Sequence, residues 1–239
     1  MESVRISAGF ATHTGHHRAA NEDSYLAAHP LYIVADGMGG HDAGDRASQA
    51  VVRAFRPLAG RDGVAVEDVR DAIRNAQAFV GAIAATTVRG AGSTLTGLVQ
   101  IVQDGAPHWL VVNIGDSRVY RASARGLERL TVDHSLMQQE LDNGNLHPDD
   151  ASAYPYRNVI TRAVGAAASP PDFGLHPVLP GERFLVCSDG LTNEVAETEI
   201  YELLASGQDC QLTADRLIER ALENGGRDNV TVVVVGVTA

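Results

Sequence analysis

The chain of 239 residues contains no lysine; all nineteen of its basic residues are arginine. Mechanisms that need an ε-amine are thereby excluded, among them the P-loop lysine, the strand lysine of a kinase and the Schiff-base lysines. Cysteine is almost as scarce. Cys187 and Cys210 cannot build a disulfide framework, and they fit a reducing compartment. A chain of this length buries about three quarters of its unfolded surface and needs no such staples. Long apolar runs are missing too. The longest, Val230–Val237, is broken by Thr231 and Gly236 and falls well short of the roughly eighteen residues of a membrane span. The first residues, MESVRISAGF, have no basic start followed by an apolar stretch, so no secretory signal is visible. A cytoplasmic protein without a membrane partner is expected. Positive charge is in deficit: thirty acidic residues against nineteen basic give −11. That balance repels a phosphate backbone, and nucleic acid is not an expected partner.

What the chain does contain is a series of short strands and two helix pairs, with 24 glycines marking tight turns. Val4–Thr12 alternates as a half-buried strand does, and Leu31–Ala35 is a continuous apolar strand. Helical spacing runs over Asp45–Leu58 and Val66–Val88, separated by Gly60-Arg-Asp-Gly63. Strands are predicted at Ser93–Val102, Trp109–Ile114, Arg118–Arg121, Leu127–Thr131 and Glu182–Cys187. Helices follow at about Glu197–Ala205 and Leu212–Asn224, and a last strand at Asn229–Val237. The polar stretch Met137–Arg157, with Asn143-Gly144, His147-Pro148 and Tyr154-Pro155, reads as a short helix and a mobile loop. Strand blocks enclosing helix pairs, without regular β–α alternation, predict an α+β fold with mainly antiparallel sheets. Two stacked sheets with helices outside would use all of these elements.

The informative residues are acidic and sit at predicted strand ends beside glycine or serine. Asp36 lies between Tyr-Ile-Val-Ala and Gly37, and Asp116 between Val-Val-Asn-Ile-Gly and Ser117. Asp189 lies between Phe-Leu-Val-Cys-Ser and Gly190, and Asp228 opens Asn-Val-Thr-Val-Val-Val. A carboxylate at the mouth of a buried strand is held rigidly, and an adjacent glycine lets water or an ion approach. Hard divalent cations take carboxylate, carbonyl and water oxygens, so four such aspartates meeting in space would make a magnesium or manganese site. Asp-Gly is also a common turn dipeptide; it is the repetition of one context four times that argues against coincidence. Arg18-Ala-Ala-Asn-Glu-Asp23 adds a planar fork suited to phosphate oxygens, and Glu22 and Asp23 can hold metal-bound waters.

Eight segments, taken in order, resemble the PP2C (PPM) metal-dependent serine/threonine phosphatases in their compact bacterial form. They are Arg18-x-x-Asn-Glu-Asp, Val34-Ala-Asp-Gly-Met-Gly-Gly-His41, Gly92-Ser-Thr-Leu-Thr96, Asn113-Ile-Gly-Asp-Ser-Arg118, Leu130-Thr-Val-Asp-His-Ser135, Ile160-Thr-Arg-Ala-Val-Gly165, Cys187-Ser-Asp-Gly-Leu191 and Gly226-Arg-Asp-Asn-Val-Thr231. The resemblance implies one domain over residues 1–239, a four-layer α-β-β-α sandwich, with 137–157 as a flap beside the active site. By the same resemblance Asp36 bridges two Mn2+ or Mg2+ ions and the Gly37 carbonyl completes the second. Asp189 and Asp228 bind the first, Glu22 reaches the second through water, Asp116 with Asp189 holds a weaker third, and Arg18 grips the substrate phosphate. Two cations about 4 Å apart then lower the pKa of a shared water, which attacks phosphorus directly with no phosphoenzyme.

One position departs from the pattern. Some family members carry histidine directly after Asp-Gly as the acid for the leaving oxygen; here Met38 stands there and cannot donate a proton. His41 is the nearest substitute, with a metal-bound water as the alternative. The implied substrates are phosphoserine and phosphothreonine in proteins, the implied partners a bacterial Ser/Thr kinase or its targets, and a monomer is the expected state. Rival readings are weaker. Cys210 and Arg216 have the spacing of a cysteine phosphatase but no intervening glycines, and the Gly37-Met-Gly39-Gly40 string lacks the third glycine of a dinucleotide fingerprint. A catalytically weak regulatory module of the same fold is the alternative that keeps the resemblance.

Overall fold

A strand that is apolar at every position has to be covered on both faces. Two such strands organise this molecule. The computed structural model describes residues 4–39 and 43–239; His41 therefore lies outside the described residues. In chain order the elements are β1 (Arg5–His13), β2 (Asp23–Ala28), β3 (Leu31–Gly39), α1 (Ala43–Phe55), α2 (Val66–Ala84), β4 (Ala91–Ser93), β5 (Leu95–Gln103), β6 (Ala106–Ile114), β7 (Arg118–Ser123) and β8 (Gly126–Arg129). They continue with α3 (Leu136–Asp142), β9 (Asp172–Pro177), β10 (Arg183–Cys187), α4 (Asp189–Thr192), α5 (Glu197–Ala205), α6 (Cys210–Glu223) and β11 (Val230–Thr238). Short 3₁₀ turns cover Arg56–Leu58 and Pro148–Ala153.

The strands form two antiparallel sheets. One runs in the order β1-β11-β10-β7-β8, the other β2-β3-β5-β6-β9 with β4 paired to the far end of β3. Successive side chains of a strand point to opposite faces, and β3 and β11 use both. Leu31, Ile33 and Ala35 pack against α1 and α2, while Tyr32 and Val34 enter the layer between the sheets. Val230, Val232 and Val234 face α4–α6, while Val233, Val235 and Val237 meet the same inter-sheet layer from the other side. At its centre Trp109, fully buried, packs between Tyr32 and Phe184 with ring centroids 5.8 and 5.6 Å away. The layers are thus helix, sheet, sheet, helix, as the sequence resemblance implies.

Several details differ from the sequence expectation. Asp23–Ala28 forms the edge strand β2 although it begins with Asp-Ser, and Asp172–Pro177 forms β9 at the opposite edge; both owe their extended form to pairing with β3 and β6. Thr94 interrupts the strand expected from Ser93, because Ser93 pairs with Gly37 in one direction while Leu95 pairs with Ile114 in the other. Consequently β3 does not end at Ala35. It runs on to Gly39 against β4, and Asp36 sits inside a strand rather than at its mouth.

Register decides where the acidic residues go. Cys187 lies opposite both Arg118 and Val232, so Asp189, Asp116 and Asp228 project just past one edge of that sheet. In the other sheet Asp23 is paired with Asp36 and Val34 with Thr96. All of them meet at one end of the sandwich.

Candidate active site

That end is an open cleft of about 270 Å³ walled by Arg18, Glu22, Asp36, Gly37, Met38, Asp116, Asp189 and Asp228, together with Thr94, Asn158, Ile160 and Asn229. Six residues of the sequence-derived set with oxygen donors therefore share one space, with Arg18 at the rim. Asp23 does not join them. Its carboxylate is buried behind the cleft and accepts from Ser188 Oγ at 2.8 Å; the expectation that it holds metal-bound water gives way to a place in the supporting layer, because its pairing opposite Asp36 turns it into the gap between the sheets. Its other oxygen has no partner. Burial pushes its carboxyl up to about 7, the Thr231 and Ser188 hydroxyls pulling the other way.

Several of the wall residues are held by neutral hydrogen bonds. The Asp36 N–H donates to Thr94 Oγ1 at 2.9 Å, Thr94 N–H donates back to the Asp36 carbonyl at 2.8 Å, and Thr94 Oγ1 lies 2.8 Å from Ser117 Oγ. One threonine thus straps Asp36 to the Asp116 turn. That turn is fixed from the other side by His134, whose Nδ1 accepts the Gly115 N–H at 3.1 Å while Nε2 meets Asp172 Oδ2 at 3.0 Å. Arg162 Nη1 lies 3.1 Å from the same Nε2 and donates to Asp172 Oδ1 at 2.8 Å, so the ring ties this turn to the Arg162–Asp172 pair. Asp189 accepts from Asn193 Nδ2 at 3.0 Å. Asn229 is the hub of the Arg18–Glu22 loop: its Nδ2 donates to the carbonyls of Thr14 and Ala20, both at 2.9 Å, and its Oδ1 accepts the Glu22 N–H at 2.8 Å. Two glycines make the closeness feasible. A Cβ on Gly44 would come within 2.7 Å of the Glu22 carboxyl carbon, and one on Gly190 within 1.9 Å of the Asn229 carbonyl oxygen.

The electrostatics are one-sided. Arg18 Nη2 donates to Asp228 Oδ2 at 2.7 Å and is the sole cation on the wall among the described residues. Burial drives the Asp36 carboxyl well above the usual carboxylate range, and Asp23, Asp189, Asp116 and Asp228 add to it. Asp116 is pushed up to about 8, chiefly by burial and then by Asp189 and Asp133, although Arg118 opposes. Asp189 is raised by burial and by Asp228, with Asn193 and Asp36 partly offsetting through hydrogen bonds. Arg118 relieves this charge only in part, since its guanidinium is clamped on Asp133 at 2.6 Å.

A wall whose anionic groups are all carboxylates, carrying more negative charge than Arg18 balances, suits hard divalent cations rather than soft ones. Among the described residues no three acidic, histidine or cysteine side chains already converge on a single point. The carboxylates ring the cleft instead. This fits ions such as Mg2+ that keep several waters and take only one or two carboxylates each. The cysteines take no part: Cys187 lies in the core with its thiol pushed up to about 12 by burial, and Cys210 is buried against Ser7.

A four-layer sandwich with an acidic cation cleft at one end is a recognisable class of fold and site. The chain belongs to the protein phosphatase 2C family, whose family model matches residues 13–222. It is 37% identical over 224 residues to the serine/threonine protein phosphatase PstP of Mycobacterium tuberculosis, covering 92% of this chain and 43% of that protein; the chain thus spans less than half the length of that relative. To the serine/threonine phosphatase stp of Listeria monocytogenes it is 35% identical over 245 residues, covering 96% of this chain and 95% of the other. The fold superimposes with a TM-score of 0.89 on the catalytic domain of PstP solved in complex with 2 manganese ions, at 33% identity, over 99% of this chain and 100% of that one.

Asn229, Thr94, His134 and Ser188 lie within the quoted motifs, but no role for them is legible there, because their partners come from segments distant in the chain. Replacing Asn229 by alanine leaves the Glu22 N–H and two loop carbonyls unmet. We expect a loss of about 2 kcal/mol in urea unfolding together with weaker Mn2+ binding by calorimetry; unchanged binding would detach the loop from the cation site.

The raised carboxyls also set a pH dependence. A carboxyl whose folded pKa lies above its unfolded value stabilises the fold at low pH and loses that contribution as pH rises through the folded value. For Asp116 the window runs from about pH 4, the ordinary carboxylate value, up to about 8; Asp36 and Asp189, also raised, act in the same direction. The metal-free protein should therefore melt at a lower temperature at about pH 8 than at about pH 6, and saturating Mn2+ should close the gap, because cation binding expels the protons. A metal-free melting temperature that rises over this range would contradict the arrangement.

Proposed function

We propose that this chain is a metal-dependent phosphatase that removes phosphate from phosphoserine and phosphothreonine in proteins. The observation that carries the proposal is the clustering of Asp36, Asp116, Asp189 and Asp228 around one cleft with Arg18 at its rim. Asp36, Asp189 and Asp228, with the Gly37 carbonyl and Glu22, would hold two divalent cations, Mn2+ or Mg2+, and Asp116 with Asp189 a weaker third. When bound, such cations neutralise phosphoryl oxygens and lower the pKa of water to a nucleophilic range.

The chain's own residues supply position and charge. Arg18 is about half exposed and engages Asp228 with one nitrogen, leaving the rest of its fork to take phosphoryl oxygens as charge develops on them. Thr94 and Asn229 hold the two walls at fixed separation, so the phosphate enters a preformed site. Met38 faces the cleft and has no proton to give the leaving oxygen. The 137–157 segment borders the site through Met137 and Arg157, which with Asn158 line a small cavity beside Asp116 and Asp189; it is suited to select among phosphoproteins. A cytoplasmic setting agrees with two cysteines that are free and buried. Among the described residues no helix is long and apolar enough to cross a membrane.

The test is release of phosphate from a phosphothreonine peptide. With Mn2+ the wild type should turn over. EDTA should abolish the activity, and Asp36→Asn should lower kcat/KM at least about a hundredfold, the cost of losing a cation worth several kcal/mol to the transition state. Manganese binding without turnover would favour the regulatory-module alternative instead.

A further inference from the structure

A second concave surface lies away from the catalytic cleft, between the outer edge of β2 and the exposed face of α1, with a volume of about 790 Å³. Five consecutive residues of β2, Asp23 to Ala27, line it. Side chains of a strand alternate between faces, so a continuous run can line a groove only where the strand presents its edge. β2 is indeed the terminal strand of its sheet, with β3 on one side and no strand on the other. A row of backbone N–H and C=O groups there is available for pairing.

The two flanks of this edge differ. On the helix side Arg46, Gln49, Arg53 and Arg56 are all exposed and line the groove, at spacings that put them on one face of α1 and its 3₁₀ extension. None of the three arginines pairs with a carboxylate among the described residues, in contrast to Arg118, Arg121 or Arg227. Arg53 is steered by Phe79, its guanidinium carbon 4.8 Å from the ring centroid. Among the described residues that line the groove the one carboxylate, Asp23, is turned inward to Ser188, and Asp45 beside it is held by Gln49. On the other flank Phe10, 40% exposed, stacks on Tyr25 with centroids 4.8 Å apart. The faces of β2 match these flanks: Ser24 lies 2.9 Å from Ser48 of α1, whereas Tyr25 looks toward β1.

We infer that this groove docks an extended acidic segment of the protein substrate, added as a strand to β2. The inference rests on the phosphatase reading for the word substrate only. Alternate residues of an added strand would face the arginines of α1 and the Phe10–Tyr25 pair, so the fitting segment alternates acidic and apolar side chains. Three unpaired arginines on a chain of net charge −11 are a local reversal of sign that attracts and orients such a segment. A lipid surface is less suited, since a membrane cannot use the strand edge and the overall charge opposes anionic lipid.

The experiment measures fluorescence anisotropy of a labelled peptide of about twelve residues alternating glutamate and valine, the length of a long strand with margins. Wild type should bind it, more weakly as salt rises from about 50 to about 300 mM. The triple variant Arg46→Glu, Arg53→Glu, Arg56→Glu should bind at least about tenfold more weakly, three exposed charge contacts being reversed. N-methylation of alternate peptide nitrogens should also abolish binding, a loss that charge attraction alone would not produce. In turnover, a phosphothreonine peptide carrying the segment should show a lower KM than one without it, and the triple variant should remove that difference without altering kcat or hydrolysis of an aryl phosphate. Equal binding by wild type and the triple variant, or indifference to N-methylation, would overturn the inference. So would arginine-dependent binding to phosphatidylserine vesicles with no peptide binding. If the wild type failed to hydrolyse even the aryl phosphate, the phosphatase reading would fall while the anisotropy result still decided the docking surface.

Discussion

Carboxylates that repel one another are forced together at one end of this molecule, and much of the local structure answers to that constraint. Asp36, Asp116 and Asp189 are each raised by burial and by at least one neighbouring carboxylate, while the guanidinium of Arg118 is hydrogen-bonded to Asp133. Left to themselves such groups would swing into solvent. They stay because neutral partners hold their backbones and flanks: Thr94 at Asp36, Asn193 at Asp189, Asn229 behind Glu22. The scaffold tolerates a charge imbalance that a divalent cation would relieve.

That scaffold depends in turn on the sandwich. The strands are apolar on both faces because helices cover one side and the opposite sheet the other. Stiff, fully buried strands such as β3, β10 and β11 fix their ends closely enough for carboxylates from both sheets to meet. The glycines at 44 and 190 let α1 and α4 approach the Glu22 loop and the start of β11. The same geometry leaves β2 as a sheet edge whose free side looks onto arginines, so the start of one strand supports the cleft and the remainder forms a separate surface.

The acidic wall was legible in the sequence because Asp36, Asp116 and Asp189 each follow an apolar strand pattern and border glycine or serine, and Asp228 directly precedes such a strand, a purely local signal. Family membership was legible for the same reason, through motifs in order. Non-local matters were not. β2 and β9 are extended by their partners rather than by their own composition, and Asp36 lies within a strand only because β4 returns to pair beyond it. Asp23 looked like its neighbour Glu22 in sequence, yet strand alternation sends the two to opposite sides. Thr94, His134 and Asn229 gave no sign of what they hold, since their bonds join segments distant in the chain.

Whether the carboxylate ring holds two cations is decided by anomalous diffraction from crystals of this protein grown with Mn2+. Two manganese peaks are expected in the cleft, both within reach of Asp36, with Asp189 and Asp228 on one and the Gly37 carbonyl on the other. A cleft without anomalous density at saturating Mn2+, or manganese bound only outside it, would show that the ring is not a two-cation site.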